Sequence, residues 1–66
     1  MEKKKYFEKY CIRYIDDNTY YNNGEKSNVS FTIFDTYPTD EILEKAIDIG
    51  RYFEIVKIFS YYDFKN

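Results

Sequence analysis

An α+β domain with element order β-β-α-β is what this 66-residue sequence predicts: a three-stranded antiparallel sheet with one helix packed on one face. Three observations carry that expectation. Thr39–Gly50 (TDEILEKAIDIG) has helical periodicity with cap residues at both ends. Asn28–Thr36 and Arg51–Phe64 are rich in β-branched and aromatic residues that alternate along the chain. Asn22–Ser27 (NNGEKS) is the strongest loop signal, with an Asn-Gly step.

The helix is specified at several levels. Thr39 can accept a hydrogen bond from a free N–H of the first turn. Pro38 biases Tyr37 toward extended geometry, so the chain enters from a strand or turn. Asp40 and Glu41 lie where the helix dipole favours negative charge. Gly50 can end the helix in left-handed geometry. At about 100° per residue, Ile42, Leu43, Ala46, Ile47 and Ile49 fall on one side and Asp40, Glu41, Glu44 and Asp48 on the other. Asp40, Glu44 and Asp48 then form an acidic ridge with a step of about 6 Å.

The strands are taken in order. Met1–Lys5 reads as a frayed, basic end. Tyr6–Ile15 (YFEKYCIRYI) reads as a strand with Tyr6, Tyr10, Ile12 and Tyr14 on one face, and as a helix under the competing 3.6-residue period. Asp16–Asn18 is turn chemistry, and Thr19–Tyr21 extends the first strand or begins a short one. Across the Asn22–Ser27 hairpin loop, Asn28–Thr36 puts Val29, Phe31 and Ile33 on one face and Ser30, Thr32 and Phe34 on the other. In the last strand Phe53, Ile55, Phe59 and Tyr61 oppose Val56, Ile58, Tyr62 and Phe64. Apolar residues on both faces mark a central strand or one whose second face meets another chain.

Composition narrows the function classes. The chain is expected to be one domain, 1–66, short enough that a single core is marginal. Nine tyrosines and six phenylalanines supply a large apolar area, but nine phenol hydroxyls need partners or water. The formal net charge of -2 argues against generic phosphate binding, although Lys3, Lys4, Lys5 and Lys9 make a basic N-terminal arm. Cys11 is the sole cysteine and there is no histidine. Cys-His catalysis and the usual zinc sites are therefore excluded. The acids at Asp16–Asp17 and Asp40–Glu41 are explained by turns and caps. The run Asp16–Glu25 lacks the alternating ligand spacing of a calcium loop. No cofactor and no metal are expected, and the protein reads as a non-enzyme. No secretory h-region and no long apolar run is present, so a cytoplasmic protein is the expectation.

In small size, β-β-α-β order, acidic helix and tyrosine content the chain resembles phage-encoded inhibitors, including some uracil-DNA glycosylase inhibitors and anti-CRISPR proteins. The resemblance implies a phage or mobile-element inhibitor of a host nucleic-acid-processing or defence enzyme, acting by steric block or acidic mimicry. It carries no functional residue over. From the residues themselves, Asp40, Glu41, Glu44 and Asp48, with Tyr10, Tyr14, Tyr61 and Tyr62, are the expected partner-binding set. Duplex DNA carries one charge per ~3.4 Å along each strand, so a ridge with one per ~6 Å is a poor mimic unless Glu41, Asp35 or a second protomer extends it. Two other readings stand beside this one. The first is a homodimeric interaction module using the sheet face that the helix leaves open. The second is a sheet-face binder of single-stranded nucleic acid or a nucleotide.

Overall fold

The computed structural model describes the backbone of residues 3–64 and the side chains of residues 8–58. Its elements are β1 (Lys3–Tyr14), β2 (Thr19–Asn22), β3 (Glu25–Ser27), α1 (Asp40–Ile49) and β4 (Phe53–Phe64). The chain is α+β, and its sheet is antiparallel with four strands in the order β3-β2-β1-β4. The expected three-stranded β-β-α-β arrangement is corrected to β-β-β-α-β. Met1 and Glu2, at the start of the expected frayed end, lie outside the described residues. Lys3, Lys4 and Lys5 continue β1, opposite Phe64, Asp63 and Tyr62 of β4.

The second half of the expected hairpin is where the sequence reading departs most. Asn22–Ser27 is not a loop between long strands. It holds its own turn, with Asn23 and Gly24 both at positive φ (50° and 95°), the backbone that a two-residue I′ hairpin requires. Asn22 faces Glu25 across it. Asn28–Thr36, expected as a strand, is irregular and joins the sheet only through an isolated bridge between Phe34 and Tyr10. β2 covers β1 only at Arg13 and Tyr14. The segment lies in the gap where β2 parts from β1. There Thr32 N–H donates to the Tyr21 carbonyl at 2.9 Å, while Tyr10 and Phe34 exchange bonds of 2.9 and 2.8 Å.

The core lies between α1 and the even-numbered face of β1. Ile12, Tyr14, Tyr21 and Ala46 are buried, with Phe34, Ile42, Leu43, Ile49, Phe53 and Ile55 packed against them. Tyr14 donates its hydroxyl to the Ala46 carbonyl at 2.8 Å, so a fully buried tyrosine also pins strand to helix. Ile47, expected on the core face, is half exposed. It sits on the rim of the apolar stripe, beyond the reach of a narrow sheet.

Both helix ends are set locally. Thr39 accepts from the Ile42 N–H at 3.4 Å, as an N-cap should. Gly50 is a correction: its backbone is extended (φ -162°), not left-handed. Glycine is needed there for space. A Cβ would lie 2.8 Å from two ring carbons of Tyr14 and 2.9 Å from Lys26 Cε.

Candidate binding surface

Two surfaces compete, and each is built from strand or helix alternation. On the helix, Asp40, Glu41, Glu44 and Asp48 are all exposed. None has a cationic partner among the described residues, whereas four acids elsewhere are matched: Asp35 with Lys9 (2.6 Å), Glu54 with Arg13 (2.7 Å), Asp17 with Lys26 (2.7 Å) and Glu8 with Lys57 (3.7 Å). Asp35 could have lengthened the acidic ridge. Its ion pair with Lys9 instead places it across the sheet from α1. The ridge therefore stays at three residues with Glu41 beside it, about half the linear charge density of a nucleic-acid strand.

The tyrosines divide. Tyr14 is in the core at 1% exposure, which removes it from any contact surface. Its phenol is pushed up to about 12 by burial first, then by the nearby Tyr21 and Asp17. Tyr10 is half buried. It donates to Glu8 at 3.3 Å and meets the Tyr37 ring edge-on at 5.6 Å. Tyr61 and Tyr62 stand opposite Tyr6 and Lys5 in the β1–β4 register, and their side chains lie outside the described residues.

The second surface is the sheet face away from the helix. In β1 it belongs to Lys9, Cys11 and Arg13, whose register partners in β4 are Ile58, Val56 and Glu54. Tyr20 stands opposite Arg13 and so lies on the same face, with the Phe31 ring 5.1 Å away. Phe31, Ile33 and Asp35 alternate with Thr32 and Phe34. Phe34 packs into the core and Asp35 binds Lys9, so Phe31 and Ile33 fall on the face away from the helix.

The outcome is an apolar strip of Tyr20, Phe31, Ile33, Val56 and Ile58 between two ion pairs, Lys9–Asp35 and Arg13–Glu54. Ile33 is 57% exposed, and Val29, two residues before Phe31, is 89% exposed. Arg13 is held in place from both sides, donating to Glu54 and, through Nε and Nη2, to Asn18 Oδ1. The sequence places Val29, Phe31 and Ile33 on one face of a strand, and their exposure follows from the irregular path of the segment. The apolar second face of the last strand is the sequence signal that points to this surface.

Cys11, at 2% exposure, has its thiol pushed up by burial, which makes it a poorer nucleophile. The described residues enclose no pocket, and no three of their Cys, Asp or Glu side chains converge to hold a metal ion. No helix among them is long and apolar enough to cross a membrane. Compared with models of known protein families, with curated proteins and with solved structures, the chain matches none.

Proposed function

We propose that this chain is a small non-enzymatic binding protein that acts by covering a site on another protein, with the helix-free sheet face as its contact surface. The observation that carries this reading is the strip of Tyr20, Phe31, Ile33, Val56 and Ile58. It is apolar, partly open to solvent and rimmed by ion pairs, the layout of an interface core inside a polar border. The sheet and α1 act as the rigid support, and the blocked partner loses access to whatever its covered site binds.

The test begins with affinity capture from cells of the native source, followed by direct titration of the captured protein. Ile33→Asp and Val56→Asp should each weaken binding at least ~10-fold, about 1.4 kcal/mol, with the circular-dichroism spectrum unchanged. Full affinity in both folded variants would overturn the reading.

A second reading is favoured by one observation, the four helix acids with no cationic partner among the described residues. In it the partner is a nucleic-acid-processing protein and α1 enters its basic site. Changing Asp40, Glu44 and Asp48 together to Ala then lowers affinity and flattens its salt dependence. If affinity and salt dependence both stay put, the acids are a solvated face and this version is dead.

A further inference from the structure

The outer edge of β4 offers a second site, independent of either face. Antiparallel strands turn the N–H and C=O of alternate residues toward each neighbour. Tyr10 exchanges both its bonds with Phe34, so the even-numbered residues of β1 bond on the β2 side. Ile15 N–H donates to the Tyr52 carbonyl at 3.0 Å, so the odd-numbered ones bond toward β4. The register Cys11–Val56 and Lys9–Ile58 then commits the even-numbered residues of β4 to β1. Phe53, Ile55, Lys57, Phe59, Tyr61 and Asp63 are left presenting their backbone groups outward. No strand among the described residues covers them.

This edge is long. Twelve residues span about 40 Å, twice the usual strand. Natural edges are blunted by proline, a bulge, a short length or charged side chains, and of these β4 has only the charges of Glu54, Lys57 and Asp63. Here the sequence FEIVKIFSYYDF has no proline or glycine, and the β1–β4 pairing runs without a break from Tyr14–Phe53 to Lys3–Phe64.

We infer that the edge is covered by β4 of a second copy, antiparallel about a two-fold axis centred on Ser60. Charge complementarity selects both occupant and register. Outward-facing backbone groups meet only if odd-numbered residues oppose odd-numbered ones, so the axis must pass through a residue position. Centred on Ser60, it sets Lys57 opposite the partner's Asp63 and Asp63 opposite the partner's Lys57, with Phe59 opposite the partner's Tyr61 between them. One residue earlier, Lys57 meets Tyr61 and Asp63 meets Ile55. Centred on Ile58, Lys57 meets Phe59 and Asp63 meets Phe53. Centred on Lys57, it opposes itself. Opposite charges directly across an antiparallel pair stabilise it and like charges oppose it. Glu8, 3.7 Å from Lys57 within the chain, leaves that ammonium free to take a second carboxylate. The axis stands perpendicular to the joined sheet, so both α1 helices lie on the same side and the acidic surface is doubled.

Sedimentation equilibrium over roughly 1 to 500 µM reads the association. The wild-type mass should rise with concentration from one chain to two. Lys57→Asp and Asp63→Lys should each raise the dimer dissociation constant at least ~10-fold, because each sets like charges opposite each other twice. An equimolar mixture of the two variants should dimerise again, since the chain with two acids then faces the chain with two lysines. Wild type that stays monomeric throughout, or single variants that dimerise as wild type does, would overturn the proposal. Should either variant fail to fold, Tyr61→Pro carries the test. Its N–H points away from β1, so the ladder survives while the outward donor is lost. A monomer is expected, and an undiminished dimer overturns the proposal.

Discussion

Tyr14 joins three parts of the molecule. Its ring lies against Gly50 after the helix, its hydroxyl holds the Ala46 carbonyl, and Lys26 Nζ of β3 sits 4.8 Å above its ring centre. Gly50→Ala should therefore destabilise by about 1–3 kcal/mol, since the new methyl meets a buried ring that cannot swing away. A shift of the urea midpoint at constant slope checks it. The same burial gives a pH signature. The folded phenol titrates at about 12 against an ordinary 10, so the fold favours the protonated form. This contribution is complete below pH 10 and fades as the pH rises toward 12. Stability measured in urea across that window should fall less steeply in Tyr14→Phe than in wild type, and equal slopes would show that Tyr14 does not carry the effect.

At the scale of elements, α1 illustrates what was legible. Thr39, the acidic first turn and the Ile42–Leu43–Ala46 stripe act as the sequence says, because capping and amphipathicity are local. The left-handed exit expected at Gly50 failed because the residue's role is set by Tyr14, distant in sequence. The last turn has no basic residue, and Asp48 sits there against the negative end of the dipole. Asp48→Ala should stabilise by about 0.5–1 kcal/mol through a better dipole match and helix propensity, read as a higher thermal midpoint. A fall in stability would mean that Asp48 holds a contact after all. The strands were legible where apolar alternation met a long partner, as in β1 and β4. β3 is Glu25-Lys26-Ser27 and carries no apolar residue, so only the Asn-Gly turn could have announced it. Asn28–Thr36 has strand alternation but joins the sheet only at the Phe34–Tyr10 bridge; Phe34 packs against the core while Phe31 and Ile33 are exposed. Phe31 and Ile33 thereby join the candidate contact strip, while the acidic face keeps its exposure without Asp35 as an extension.

For the molecule as a whole, the layers are unequal: one helix covers one sheet face, and the other face has no second layer among the described residues. On the even-numbered side of β1, Ile12 and Tyr14 are buried with Ala46 of α1. Yet Cys11 on the uncovered side is only 2% exposed, so the strip is packed tightly enough to exclude water from its centre. That makes Cys11 a reporter of the entire sheet. Its thiol cannot meet a reagent unless the strip or the strands beneath it open, and burial also holds it in the unreactive protonated form. The rate of labelling by a neutral disulfide reagent, divided by the rate in urea-unfolded chain, should then match the equilibrium fraction of open molecules. Gly50→Ala acts on the opposite face and touches neither Cys11 nor its neighbours in register. If the sheet opens as one unit, the variant should speed labelling by the same factor by which it raises the unfolded fraction, roughly 5–150-fold for 1–3 kcal/mol. Labelling that is fast in the native protein, or indifferent to Gly50→Ala, would mean that the strip opens by itself. The contact surface would then be a local flap, not a face held rigid by the core behind it.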